Sequence, residues 1–126
     1  LAKMGYINQI LIDDASFSPH NSVRHESLPY YYQGFNKAKY VAETIGSMYG
    51  SEAKISYQSQ SGYEINFSEY CKCSIIDCTA SQNFMYYSIE NSDLKEPLMR
   101  CELVDSGRIG INFIEGENRN PSVHTH

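Results

Sequence analysis

The sequence predicts an α+β fold: an antiparallel β-sheet of four to six strands, arranged as a meander, with one main helix packed on one face. Three observations predict it. One stretch repeats its apolar residues at helical spacing. After Gly50 the apolar period shortens to two, the period of a strand. The connections between those alternating stretches are short, and short connections join antiparallel neighbours.

The helix is expected near Gln33 to Tyr49. Ala38, Val41, Ala42, Ile45, Met48 and Tyr49 recur at i, i+3, i+4 and i+7 and form one apolar stripe. Lys37, Lys39, Glu43 and Ser47 fall largely elsewhere. Asn36 can cap its start, or Ser27 can if Pro29 opens a longer helix. Gly50 supplies the residue that ends it.

Strands are expected at Ala53 to Ser59, Tyr63 to Phe67, Tyr70 to Cys78, Asn83 to Ile89, Leu98 to Val104 and Arg108 to Ile114. Tyr6 to Ile12 also reads as a short strand, although Met4, Ile7 and Leu11 fit a helix face as well. Two turns define a register. A three-residue loop Asp105–Ser106–Gly107 pairs Leu103 with Ile109, Cys101 with Ile111 and Met99 with Phe113, which gathers the large apolar side chains on one face. A two-residue loop Ser106–Gly107 would instead set Glu102 opposite Ile111. The same reasoning at Gln60–Ser61–Gly62 pairs Tyr57 with Ile65 and Ile55 with Phe67, with Gly62 and Gly107 both at positive φ.

The chain has 126 residues, 41% hydrophobic and 20% charged, which suits one domain over residues 1–126 with no need of disulfide staples. Its apolar runs are too short to cross a membrane as a helix. Net charge is −5 and the ten Lys and Arg are scattered, so a nucleic-acid partner is disfavoured and a basic protein partner is favoured. The sequence holds no P-loop, no H-E-x-x-H and no G-x-S-x-G, and it implies no cofactor.

Four cysteines leave the compartment open. Cys71 and Cys73 lie two apart on an expected strand and share a face continued by Ile75. Cys101 sits between Met99 and Leu103 on the expected core face. They read first as buried thiols acting as small hydrophobes, which suits a cytoplasmic home. A disulfide joining Cys78 or Cys73 to Cys101 is the second reading, and zinc the third, disfavoured by the C-x-C-x4-C spacing. His124 and His126 lie in a polar, loose tail from Gly116 to His126 and carry little weight.

The expected binding site lies before the helix. Residues 13–29 form a long polar loop holding Asp13, Asp14, Arg24 and Glu26. Tyr30, Tyr31 and Tyr32 follow it, and three consecutive aromatics cannot all face inward on one regular element. These groups resemble an aromatic anchor with a polar rim, although the tyrosines can equally lid the core at the helix entry. The expected function is a non-enzymatic protein-binding domain of inhibitor or immunity-protein type. The alternatives are an extracytoplasmic, disulfide-containing structural or adhesive domain, and a small metal-independent nuclease-like enzyme using His20 and His25.

Overall fold

The structure, a computed structural model, describes residues 1–19 and 33–122. The fold is α+β, with strands β1 (Asn8–Ile12), β2 (Lys54–Gln58), β3 (Ile75–Asp77), β4 (Leu98–Val104) and β5 (Ile109–Ile114) and helices α1 (Lys37–Tyr49) and α2 (Gln82–Glu90). The chain divides into two compact units, Leu1–Glu64 and Ile65–His126.

In the N-terminal unit β1 and β2 pair in parallel, from Asn8 beside Lys54 to Ile12 beside Gln58, and α1 lies between them in sequence. Parallel strands need a crossover, and α1 is that crossover. It packs on both strands and buries Ala38, Ala42 and Ile45. The Asn36 side chain caps it as expected, accepting from the Lys39 N–H at 2.9 Å, and Gly50 closes it at a φ of 59°. Val41 and Met48, both expected to be buried, are 40% and 63% exposed. At about 100° per residue they sit roughly 70–90° from the centre of Ala38, Ala42 and Ile45, and a two-stranded sheet is too narrow to reach them.

The C-terminal unit holds a mixed sheet in the order β3–β4–β5. β3 and β4 are parallel, with Asp77 beside Arg100. Helix α2 is their crossover, capped by Ser81, whose hydroxyl accepts from the Phe84 N–H at 3.2 Å. Phe67, Phe84 and Leu94 form an apolar cluster with Ile65, Ile75 and Tyr87 against it.

The antiparallel meander expected from the sequence is therefore replaced by two smaller sheets, one parallel and one mixed. The reason lies in two stretches expected to be strands. Asn83 to Ile89 is helix α2, because Ser81 caps it and Phe84 and Ser88, four residues apart, are buried together. Tyr63 to Phe67 falls in two short 3-10 turns, the second capped by Asn66, so Gly62 has no positive φ and Tyr57 faces Leu11 rather than Ile65. Only Ile75–Asp77 of the expected strand Tyr70 to Cys78 is extended.

The β4–β5 hairpin corrects the register. Glu102 pairs with Ile111 and Arg100 with Phe113, one residue away from the expected alignment. Asp105, Ser106 and Gly107 all have positive φ, at 51°, 56° and 83°. The Gly107 N–H donates to the Val104 carbonyl at 3.1 Å and the Arg108 N–H to the Asp105 carbonyl at 3.2 Å, so the loop Asp105–Arg108 joins the paired residues Val104 and Ile109. A one-residue shift moves the side chains of one strand to the other face relative to its partner. The large apolar residues are consequently divided between the two faces of this sheet.

Candidate functional site

The described part of the expected loop site is its stem. Asp13 is half-buried and engaged locally: its Oδ1 accepts from the Ala15 N–H at 2.8 Å, and its carbonyl accepts from the Asn36 side-chain amide at 2.6 Å. Asp14 is exposed. Ser16 bridges Asn36, and the Phe17 N–H donates to the Phe35 carbonyl at 2.9 Å, so the two ends of the loop meet at the helix entry. Phe17 is buried there and meets Tyr40 edge-on at 5.3 Å. Arg24, Glu26, Tyr30, Tyr31 and Tyr32 lie outside the described residues, as do His20, His25, His124 and His126.

A second surface emerges in the C-terminal unit, built by the β4 alternation. Leu98, Arg100 and Glu102 point to one face, and Met99, Cys101 and Leu103 to the other. The sequence places the second set in the core. The structure buries the first set: Leu98 and Arg100 are at 0% and 1% exposure. A buried guanidinium is tolerable only when its charge is matched. Arg100 Nη1 donates to Asp77 Oδ2 at 2.6 Å and to the Ser81 carbonyl at 3.0 Å, and its Nε donates to Glu102. Nearby in the sequence, Glu115 receives Arg119 Nε at 2.7 Å and the Leu98 N–H at 2.9 Å, while Arg119 also reaches the Ser88 carbonyl at 3.1 Å. These pairs let one face of the sheet close over charged side chains.

The opposite face carries apolar groups outward. Register places Ile76 beside Met99, and Met99 beside Ile114, on the face of Cys101 and Leu103. Leu103 is 73% and Ile114 60% exposed, while Ile76, Met99 and Cys101 are half-buried. A shallow cleft at one end is lined by Ile76, Met99 and Ile114, with Lys72, Cys73 and Pro97 at its margin.

Cys78 and Cys101 lie on this face. The Cys78 thiol is pushed above its usual range, first by partial desolvation, then by the charge and hydrogen bond of Cys101 and by the charge of Asp77. Cys71 and Cys73, expected to be buried on a strand, are instead exposed in a turn before β3, where Lys72 has a φ of 73°. That turn is anchored by Glu96, whose Oε1 accepts from the Lys72 N–H at 3.0 Å.

Among the described residues no cluster of three or more His, Cys, Asp or Glu is placed to hold a metal ion, and no helix is long and apolar enough to cross a membrane. The outward sheet face was missed in the sequence because alternation sets the two faces of a strand apart without saying which is inside. Its signal was Arg100 and Glu102 in phase with Leu98, with Asp77 upstream able to neutralise the guanidinium. In comparison with known proteins, the sequence matches no family model and no curated protein.

Proposed function

We propose that this chain is a non-enzymatic protein-binding domain, of the inhibitor or immunity-protein type, acting by surface complementarity. The observation that carries the proposal is the outward face of β4 and β5, where Leu103 and Ile114 stand open beside Met99, Cys101 and Ile76. A contiguous apolar patch costs solubility and is favoured where a partner covers it. Aliphatic anchors surrounded by polar groups are common anatomy for a specific interface. The net charge of −5 favours a basic partner through faster encounter at low salt. Tyr30, Tyr31 and Tyr32 with Asp13, Asp14, Arg24 and Glu26 form the second element of the proposal, as an aromatic anchor with a charged rim.

The test uses a partner isolated with the wild-type chain and then titrated against Leu103→Glu, Ile114→Glu, Tyr31→Ala and Tyr32→Ala, each with its melting temperature measured. A hot spot loses about 2 kcal/mol or more of binding, roughly thirtyfold in Kd, with folding unchanged. Wild-type affinity in both sheet-face variants removes that face from the interface. Loss of folding in step with binding at the tyrosines assigns them to the core.

A second reading, an extracytoplasmic structural or adhesive domain held by a disulfide, has one observation in its favour: Cys78 and Cys101 directly follow the paired residues Asp77 and Arg100.

A further inference from the structure

We infer that Cys78 and Cys101 form a redox-active dithiol that closes to an intramolecular disulfide by exchange with a small disulfide such as oxidised glutathione. The inference stands on strand register and is independent of whether the sheet face binds a partner. β3 and β4 run parallel with Ile75, Ile76 and Asp77 beside Leu98, Met99 and Arg100. Continuing the ladder by one residue sets Cys78 beside Cys101. Neighbouring strands lie about 4.8 Å apart, within the Cα separation of about 4.4–6.8 Å that a disulfide spans. Each cysteine follows the buried member of an ion pair, Asp77 or Arg100, so both side chains alternate onto the outward face. The charge of Cys101 is among the causes that raise the Cys78 thiol, in keeping with that placement. Both are free, and Cys78 is exposed and directly follows the last residue of β3.

The chemistry balances without any further reagent. The Cys78 thiolate attacks one sulfur of the small disulfide, the S–S bond breaks, and one thiolate leaves. The Cys101 thiolate then attacks Cys78 Sγ in the mixed disulfide and expels the second small thiolate. The protein loses two protons and two electrons, and the small disulfide is reduced to two thiols. Because desolvation and the charges of Cys101 and Asp77 oppose ionisation of Cys78, the first step is slow near neutral pH and quickens as pH rises.

The full chain is equilibrated with glutathione buffers of increasing oxidising strength, quenched by alkylation, and digested without reduction for mass spectrometry. The expected product is a Cys78–Cys101 cross-linked peptide, with two of the four thiols lost and Cys71 and Cys73 still alkylated. The ratio of cross-linked to reduced protein should rise with oxidised glutathione and fall with the square of the reduced glutathione concentration, as an intramolecular disulfide requires, and dithiothreitol should reverse it. The double variant Cys71→Ser with Cys73→Ser, altered only at exposed turn positions, should form the same cross-link. In urea the pairing should slow at least tenfold, because the strands no longer hold the thiols together. Glutathione remaining attached at Cys78 or Cys101, or a Cys71–Cys73 disulfide formed while Cys78 and Cys101 stay reduced, overturns the inference.

Discussion

Asp77 and Arg100 meet at 2.6 Å across neighbouring parallel strands, with side chains 0% and 1% exposed. Arg100 also donates to the Ser81 carbonyl at the start of α2, and its Nη2 finds no partner among the described residues. The guanidinium thereby ties β3, β4 and the first turn of α2 into one body, and its charge depends on Asp77. Removing one member of a buried pair leaves the other uncompensated. Asp77→Ala should lower stability by about 3–5 kcal/mol in urea unfolding. Glu43→Ala, which removes the exposed pair between Lys39 and Glu43, should cost under about 1 kcal/mol. Equal effects from the two would place Arg100 in water.

Two glycines should respond to alanine with opposite signs. A Cβ on Gly116 would run into the Asn120 carbonyl, a backbone atom in a tight turn that also contains Arg119. Gly116→Ala should therefore destabilise the C-terminal unit and loosen the Arg119–Glu115 pair beside it. Gly46 sits inside α1 with open space around it, and alanine there should stabilise by about 0.5–1 kcal/mol through helix propensity. Thermal melts of both variants check the pair of signs.

Along α1 the apolar stripe is narrower than its composition. Ile45 is buried and Met48 is 63% exposed. Ile45→Ala should cost about 2–5 kcal/mol as a core truncation, and Met48→Ala under about 0.5 kcal/mol. A large loss at Met48 would mean that its face is covered.

The pH dependence of Cys78 alkylation has a defined sign. The reactive species is the thiolate, and the Cys78 thiol is raised by desolvation, by Cys101 and by Asp77. Its alkylation should set in at higher pH than that of an unperturbed thiol. Cys101→Ser removes a charge and should shift the alkylation profile of Cys78 to lower pH. An unchanged profile would show that desolvation alone acts.

The sequence by itself determined the local pieces whose signals are complete within a few residues. Helix α1 with its Asn36 cap and Gly50 end, strands β2, β4 and β5, and the positive φ at Gly107 were all legible, because capping chemistry, period and glycine geometry are short-range. The stem of the candidate loop site was legible only as a polar stretch; that Asp13 is spent on Ala15 and Asn36 is a matter of packing. Tertiary structure decided the rest. Asn83 to Ile89 reads as a strand because Phe, Tyr and Ile favour either element, and only the burial of Phe84 beside Phe67 and Leu94 makes it a crossover helix. Once it is a helix, β3 and β4 become parallel, and Asp77 reaches Arg100. That pairing turns the face of Leu98 and Arg100 inward and leaves Met99, Cys101 and Leu103 outward, against their hydrophobicity. The physical reason is that strand alternation states which residues share a face, whereas the choice of inner face depends on partners distant in sequence that neutralise what is buried.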